Sequence, residues 1–408
     1  MNWIIADQSL TSYMGHSFEY ARAIRGHLLG LGQPATVLAS VRASRRVIEA
    51  LGAVPCFRYG LDHDFAGRLY AILPRSLRQI VPREWNYFRH RQGLFRDLVG
   101  AESKLALTRD TIVLFHTIRH NHVLPIVKWA ERLRGRGCPR FSLILRFTAY
   151  PTHSRRSPTA AIYRRALGYL EQSPVRDRFR LFTDSNRLAW EYREHTSIPV
   201  AVLPIPHVEG GGNGQRESCR QGGAGPIRLT YAGDARVNKG FHLLPYLFEH
   251  LEPLRRTEAV AGEVQANVRN DGEWEVKTAV RRLRRAGVEL VDHELSSGDY
   301  YALLDRAGIV LLPYTLDYYH AQTSGIFAEA VARGKPVVVP RGSWMAEQLG
   351  TFGAGTTFPA EDRQGLLEAV LSGIQCYDQL RAQAVARSRA WTGHHNPRAF
   401  VDTILSSF

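Results

Sequence analysis

Short β-branched and aromatic runs alternate along the chain with stretches in which apolar residues recur every three or four positions. The run WIIA at 3–6 reads as a strand. After a loop holding Gly15, the positions Phe18, Ala21, Ile24 and Leu28 line one face of a helix. Gly32 follows that helix, and ATVLA at 35–39 is the next strand, with further strands at 111–115, 141–145 and 180–183. Strands separated by helix-length segments predict βαβ units, a parallel sheet and right-handed crossovers. The stretch from His207 to Pro226 interrupts the alternation, for it holds seven glycines and almost no apolar residue, and it reads as a linker. Beyond it the pattern restarts at 228–231, 259–261, 288–291, 309–312 and 337–339. An α/β chain of two Rossmann-like halves is therefore expected, with boundaries at 1–205, a linker at 206–225, a second domain at 226–385 and a closing segment at 386–408.

Local signals sharpen two elements. Ser296 and Asp299 have the spacing of a capping box that opens a helix at 300–306. A second helix at 325–333 ends at Gly334, with Pro336 just beyond and a buried strand following.

Composition narrows the class without naming it. With 408 residues, 44% hydrophobic and 22% charged, the chain is an ordinary folded protein, so disorder, collagen and disulfide scaffolds are excluded. Lysine plus arginine outnumber aspartate plus glutamate by 53 to 38, a net charge of +15, which asks for an anionic partner: nucleic acid, a membrane surface or a phosphorylated substrate. Cys56, Cys138, Cys219 and Cys376 are too dispersed for a metal or redox pair and are expected as free thiols in a reducing cytoplasm. The first residues lack the basic region of a signal peptide, and no apolar run reaches the roughly 18–20 residues of a membrane span. A cytoplasmic protein, peripheral on the membrane at most, is expected.

Several chemistries are unsupported. No GxGxxG follows a strand, and GxxxxGK[ST], HExxH, zinc-finger spacing and GxSxG are missing. His116, His120 and His122 cluster without a nearby acid, so no metal site is expected there. Nucleic-acid binding lacks a helix-turn-helix or an aromatic RNP-type strand.

Two motifs in the second half remain. The first, YAGDARVNKG at 231–240, follows a strand; Gly233 permits close backbone approach, and Arg236 and Lys239 put two cations where α/β sheets bind ligands. Two cations there suit a diphosphate, although a solvated turn would carry the same residues. The second, YTLDYYHAQTSGIFAEAVARGKPVVVP at 314–340, sets Thr323, Ser324 and Gly325 just ahead of a helix whose free N–H groups favour an anion. Glu329, one turn in, can accept two ribose hydroxyls or pair with Arg333 four residues on. Only five lysines stand against 48 arginines, and Lys239 and Lys335 both fall in these motifs.

In order and spacing the motifs resemble the donor-binding half of the GT-B glycosyltransferases of family 4 (glycosyltransferase group 1). The resemblance continues through LSSGDYYALLDRAGIVLLPY at 295–314, GTTF at 355–358 and the helix after Asp362. It covers 226–385 well and the first half more loosely, through the Gly15-His16 loop and the strand order. It implies an α/β fold of two Rossmann-like parallel-sheet domains facing across a cleft, the first for the acceptor and the second for a nucleotide-sugar donor, with the segment at 386–408, including Trp391, packing back on the first. Arg236 and Lys239 would bind the pyrophosphate, Glu329 the ribose, and the Ser324-Gly325 backbone the distal phosphate or sugar. Gly15, His16, Gly233, Tyr314 and Thr323 would complete the substrate site. The implied reaction moves a hexose from a nucleotide-diphosphate sugar to a lipid-linked or polysaccharide acceptor, with retention and with no metal or other cofactor. Preorganised cations and a helix N-terminus would stabilise the leaving phosphate. A nucleotide-sugar epimerase of the same fold, or a non-catalytic sugar-nucleotide-binding protein, would use the same donor residues.

The chain departs from the family at two places. Ala321 stands where the first glutamate of a Glu-x7-Glu pair is usual, with Gln322 beside it, and Phe147 stands where a strand-end histidine is usual. His116 and His153 are the candidates for the missing imidazole.

Part of the charge surplus collects at 75–96, where six arginines interleave with Trp85, Tyr87, Phe88 and Phe95, with a second basic stretch at 155–165. That pattern suits an anionic membrane surface, or equally a solvated helix face.

Overall fold

The computed structural model describes residues 1–408 except 14, 62, 68–73, 75–76, 78–80, 152–156, 208–224 and 269–273. The chain forms two compact units, Met1–His207 with Pro397–Phe408, and Val208–Asn396. Most of the glycine-rich linker, with Cys219, His153, Arg155 and Arg156, lies outside the described residues.

Among the described residues, the first unit is built on seven parallel strands: β1 (Asn2–Ala6), β2 (Ala35–Ser40), β3 (Val54–Phe57), β4 (Thr111–Ile118), β5 (Arg140–Leu145), β6 (Phe179–Thr183) and β7 (Val200–Val202). Their order is β3-β2-β1-β4-β5-β6-β7. β1 pairs with β2 on one side, through Ile5 and Val37, and with β4 on the other, through Ile5 and Leu114. The central strands are near-continuous apolar runs because helices cover the sheet. The helix His16–Gly30 buries Phe18, Ala21, Ile24 and Leu28 against them, at the spacing its sequence predicts. The final helix, Pro397–Ser406, adds Phe400, Val401 and Ile404 to the same core.

The second unit holds β8 (Ile227–Tyr231), β9 (Val260–Gln265), β10 (Glu289–Val291), β11 (Ile309–Leu311), β12 (Val337–Pro340) and β13 (Gly355–Phe358), in the order β10-β9-β8-β11-β12-β13. Every pairing in both sheets is parallel, as the alternation of strands and helices predicts. In each sheet the strand order reverses at one point, between β1 and β4 and between β8 and β11. Connections leave in opposite directions there and open a crevice at the strands' C-terminal ends.

The helix Gly325–Ala332 is held from behind by the helix Tyr377–His394. Trp391 is fully buried, donates from Nε1 to the Ala328 carbonyl at 3.0 Å, and packs on Phe327, Phe352 and Trp344. Cys56, Cys138 and Cys376 are free. Among the described residues no helix is long and apolar enough to cross a membrane.

Candidate active site

The loops that carry the two motifs follow β8 and β11, the strands on either side of the second reversal point. After Tyr231 the chain turns at Gly233, whose φ of +94° few other residues tolerate. The Gly233 N–H donates to Gln265 Oε1 at 2.6 Å, and the Ala235 N–H to the Asn267 carbonyl at 3.2 Å, so the tip of β9 fixes the loop. A short 3-10 turn, Val237–Lys239, follows, and Gly240 at φ +68° presses against Pro313, with no room for a side chain. Thr315 donates to the Asn238 carbonyl from both its N–H (3.1 Å) and its hydroxyl (3.3 Å), tying the two loops together.

This joinery gathers the predicted residues of the second half. The Lys239 ammonium lies 5.8 Å from the Tyr314 ring centroid, and a Cβ on Gly233 would stand 3.1 Å from Lys239 Nζ and 2.5 Å from Ile326 Cδ1. Gly233, Lys239, Tyr314 and the first turn of the helix Gly325–Ala332 are therefore immediate neighbours. Ser324 caps that helix, its hydroxyl accepting from the Phe327 N–H at 3.2 Å, with Thr323 just ahead of it. The N–H groups of Gly325 and Ile326 belong to the turn that a helix leaves without intrahelical partners. Glu329, 7% exposed, accepts from the Tyr300 hydroxyl at 2.5 Å. Arg333 pairs with Asp305 at 3.2 Å and lies over the Tyr301 ring.

The site is cationic over a buried phenolic floor. Arg236, half-buried, forms an ion pair with Asp234, a partner within the motif that its spacing did not single out. Burial pushes the Tyr319 phenol up to about 12, Arg236 pulling against it and Asp234 adding to it. Burial and Tyr319 likewise hold Tyr314 well above the ordinary phenol range, so both rings stay neutral. Lys335, the second lysine of the motifs, is buried and donates to the Asp305 carbonyl at 2.6 Å, a helix-to-strand tie beside the site.

The candidates of the first half form a second cluster, at the C-terminal edge of their own sheet. Gly15, at φ +89°, opens the helix that begins with His16. Arg146 donates to His16 Nε2, and an arginine can only donate; the His16 proton is therefore on Nδ1, facing His207 Nε2 at 3.2 Å. Arg146 also pairs with Asp184 at 2.8 Å and lies over the Tyr20 ring. His116 is fully buried, stacked on Tyr20, with Nε2 3.2 Å from Asp7 Oδ2 and Nδ1 3.0 Å from the Thr117 hydroxyl. Burial alone would raise Asp7, yet the charge and hydrogen bond of His116, the Ser9 N–H and the Ser17 hydroxyl hold its carboxyl below its ordinary value. Asp7, Arg146 and Asp184 each stand just past a strand end and His207 follows in the segment after β7, and their convergence is a property of the sheet that no local spacing encodes. Among the described residues, no three His, Cys, Asp or Glu side chains converge as metal ligands.

Solved structures similar to this chain span its whole length. The Anabaena protein Alr3699/HepE, solved in complex with UDP, gives a TM-score of 0.68 at 14% identity, with 100% of each chain covered. Sucrose-phosphate synthase from Thermosynechococcus elongatus gives 0.63 at 12%, covering 99% of this chain and 97% of that one. A glycosyltransferase from Rickettsia africae gives 0.64 at 10%, with the same coverage. The chain has the GT-B fold. No family model and no curated protein matches it. The loops after β8 and β11, where the motifs lie, flank the second reversal point, the place at which open parallel sheets bind ligands.

Proposed function

We propose that this protein is a retaining glycosyltransferase of the family 4 type that transfers a hexose from a nucleotide-diphosphate sugar. In this reading residues 226–385 bind the donor and residues 1–205 serve the acceptor. One observation carries it: at the β8/β11 reversal, Lys239, Gly233 and the Ser324-capped helix adjoin one another, with Arg236 on the same loop and Glu329 one turn along the helix. Two cations and a helix N-terminus match a pyrophosphate, and a buried carboxylate within the same helix matches a ribose diol. The Anabaena protein, similar in fold, has been solved with UDP and with UDP-glucose, which supports a donor of that chemical kind here.

In the reaction the bond from the anomeric carbon to the diphosphate breaks and a bond to the acceptor oxygen forms on the same face. The acceptor hydroxyl gives up its proton to the departing nucleoside diphosphate, which leaves with the electron pair of the broken bond. Negative charge grows on the departing phosphate, where Arg236, Lys239 and the Gly325 and Ile326 N–H groups oppose it without reorganising. That charge is available without a metal or other cofactor. Ala321, fully buried, offers no carboxylate to the sugar, so in this reading the hexose hydroxyls are met by other groups.

For the acceptor we propose a lipid-linked or polysaccharide glycan met at an anionic membrane surface. On the helix Val81–Ala101, Trp85 and Phe88 stand 42% and 45% exposed with Arg89 stacked over Trp85, an aromatic and basic face suited to lipid headgroups. Binding to anionic vesicles, stronger than to neutral ones and weakened in Trp85→Ala/Phe88→Ala, is the expected result; equal binding to both vesicle types would count against it.

The donor assignment is tested by thermal shift with UDP-, GDP- and ADP-sugars. One of them should raise the melting temperature of the wild-type protein, and Lys239→Ala and Glu329→Ala should abolish the rise. No stabilisation by any sugar nucleotide, or a rise that both variants keep, would sink the proposal.

A further inference from the structure

Glu329 is held by a partner from another helix, and that partner is set in place by sequence-local chemistry. The Ser296 hydroxyl accepts from the Asp299 N–H at 3.2 Å and donates to Asp299 Oδ2 at 2.6 Å, while the Tyr300 N–H donates to the Ser296 carbonyl at 2.8 Å. This fixes the first turn of the helix Ser297–Arg306, and with it the side from which Tyr300 projects. The Tyr300 hydroxyl then donates to Glu329 Oε2 at 2.5 Å. Tyr301, the next residue, packs its ring under the Arg333 guanidinium at 4.3 Å, and Asp305 pairs with Arg333 at 3.2 Å. One helix thus grips the other at two points a turn apart, and one of them is the carboxylate of the candidate donor site.

The direction of the Tyr300 bond is settled. Burial, then the nearby Glu329 charge, hold the Tyr300 phenol well above the ordinary range, so it keeps its proton at neutral pH. A phenol in that state donates, and a carboxylate accepts most strongly when ionised. A carboxylate whose rotamer is fixed before binding has less freedom to lose when the ligand arrives.

We propose that Tyr300 is a positioning residue for the donor nucleotide: its hydroxyl locks the Glu329 carboxylate in the orientation that takes the ribose diol. The inference rests on reading Glu329 as the ribose-binding group. It makes Tyr300 a determinant of ribose selectivity that acts through Glu329.

The test compares calorimetric binding, by the full chain, of UDP, GDP and ADP with their 2′,3′-dideoxy counterparts and with inorganic pyrophosphate. Wild type, Tyr300→Phe, Glu329→Gln and the double variant are measured, after their melting curves show each to be folded. Wild type should favour the ribonucleotide over the dideoxynucleotide. Tyr300→Phe should weaken the ribonucleotide about fivefold to tenfold, leave the dideoxynucleotide and pyrophosphate unchanged, and add nothing in the Glu329→Gln background. A merely structural tyrosine would weaken all three probes together, and that result overturns the proposal. So does a Tyr300→Phe protein that keeps full ribose selectivity while Glu329→Gln loses it, and in that case the reading of Glu329 survives. Wild-type protein that binds ribo and dideoxy forms alike, or neither, overturns the reading of Glu329 and this inference together.

Discussion

His395 lies against the Trp391 ring, centroids 3.9 Å apart, and burial, with His394 adding to it, pulls its pKa down to about 3. His120 is pulled down to about 4 by burial, with Arg119 and His90 adding to it. Both are neutral in the folded protein at physiological pH, whereas in the unfolded chain they take up protons below about pH 6.5. Below that value the unfolded state binds the extra protons, so stability falls as the pH drops toward the folded pKa values, at about 1.4 kcal/mol per pH unit for each histidine. Denaturant unfolding of the wild type at pH 7, 6 and 5 should show this decline, and His395→Gln should flatten it by about one histidine's share. An unchanged slope in the variant would mean that His395 is protonated in the fold. At this scale the sequence was a partial guide. The charges of Arg236, Lys239 and Glu329 could be read from their motifs, whereas Gln265, Arg146 and Tyr300 act on residues 32, 130 and 29 positions away, and pattern reading has no means of pairing such positions.

Strands and helices were legible where burial forces a pattern and obscure where it does not. The central strands announced themselves as apolar runs. β3, which includes the exposed Pro55, and β7, three residues long, were not read as strands, because an edge strand needs only one paired side and tolerates proline and polar residues. Expected helix starts at Ser296 and Ser324 coincide with caps in the structure, since capping is encoded within four residues. The glycines of the first motif differ in a way the sequence could not show. A Cβ on Gly240 would lie 1.7 Å from the Pro313 carbonyl oxygen, a backbone atom, whereas one on Gly233 meets the flexible end of Ile326 at 2.5 Å. Gly240→Ala should therefore destabilise the second unit by more than about 3 kcal/mol, with Gly233→Ala costing about 1–2 kcal/mol from the left-handed backbone alone. Ser324→Ala should cost about 1 kcal/mol through the lost cap. Urea unfolding of the three variants checks the ranking, and a Gly240→Ala protein as stable as Gly233→Ala would refute the proposed tie between the two loops.

At the level of the whole molecule, the 53 lysines and arginines overstate how many cations are available to a partner. Arg58, Arg132, Arg146, Arg282 and Arg306 all sit in ion pairs with carboxylates, and Arg178 donates to the Pro139 and Cys138 carbonyls. These arginines tie loops and helix ends to neighbouring carboxylates and carbonyls. The division into units has its own consequence at the C-terminus. Although the chain passes through the whole second unit first, Pro397–Phe408 belongs to the first. Phe400, Val401 and Ile404 are fully buried in its core, Tyr20 meets the Phe400 ring edge-on at 5.6 Å, and the Arg140 and Arg180 guanidiniums lie over Phe408. Full burial of a large apolar side chain contributes about 1.5–3 kcal/mol, so removing three of them should cost the first unit roughly 3–6 kcal/mol once the ordering of the segment is discounted. Deletion of residues 397–408 should accordingly speed hydrogen exchange in β1, β2 and the helix His16–Gly30 while leaving β8, β11 and the helix Gly325–Ala332 as protected as before. Nucleotide-sugar binding, if it belongs to the second unit alone, should survive the deletion with unchanged affinity. Loss of protection in both units at once would show instead that the two cores unfold as one, and that the terminal helix stabilises the whole chain.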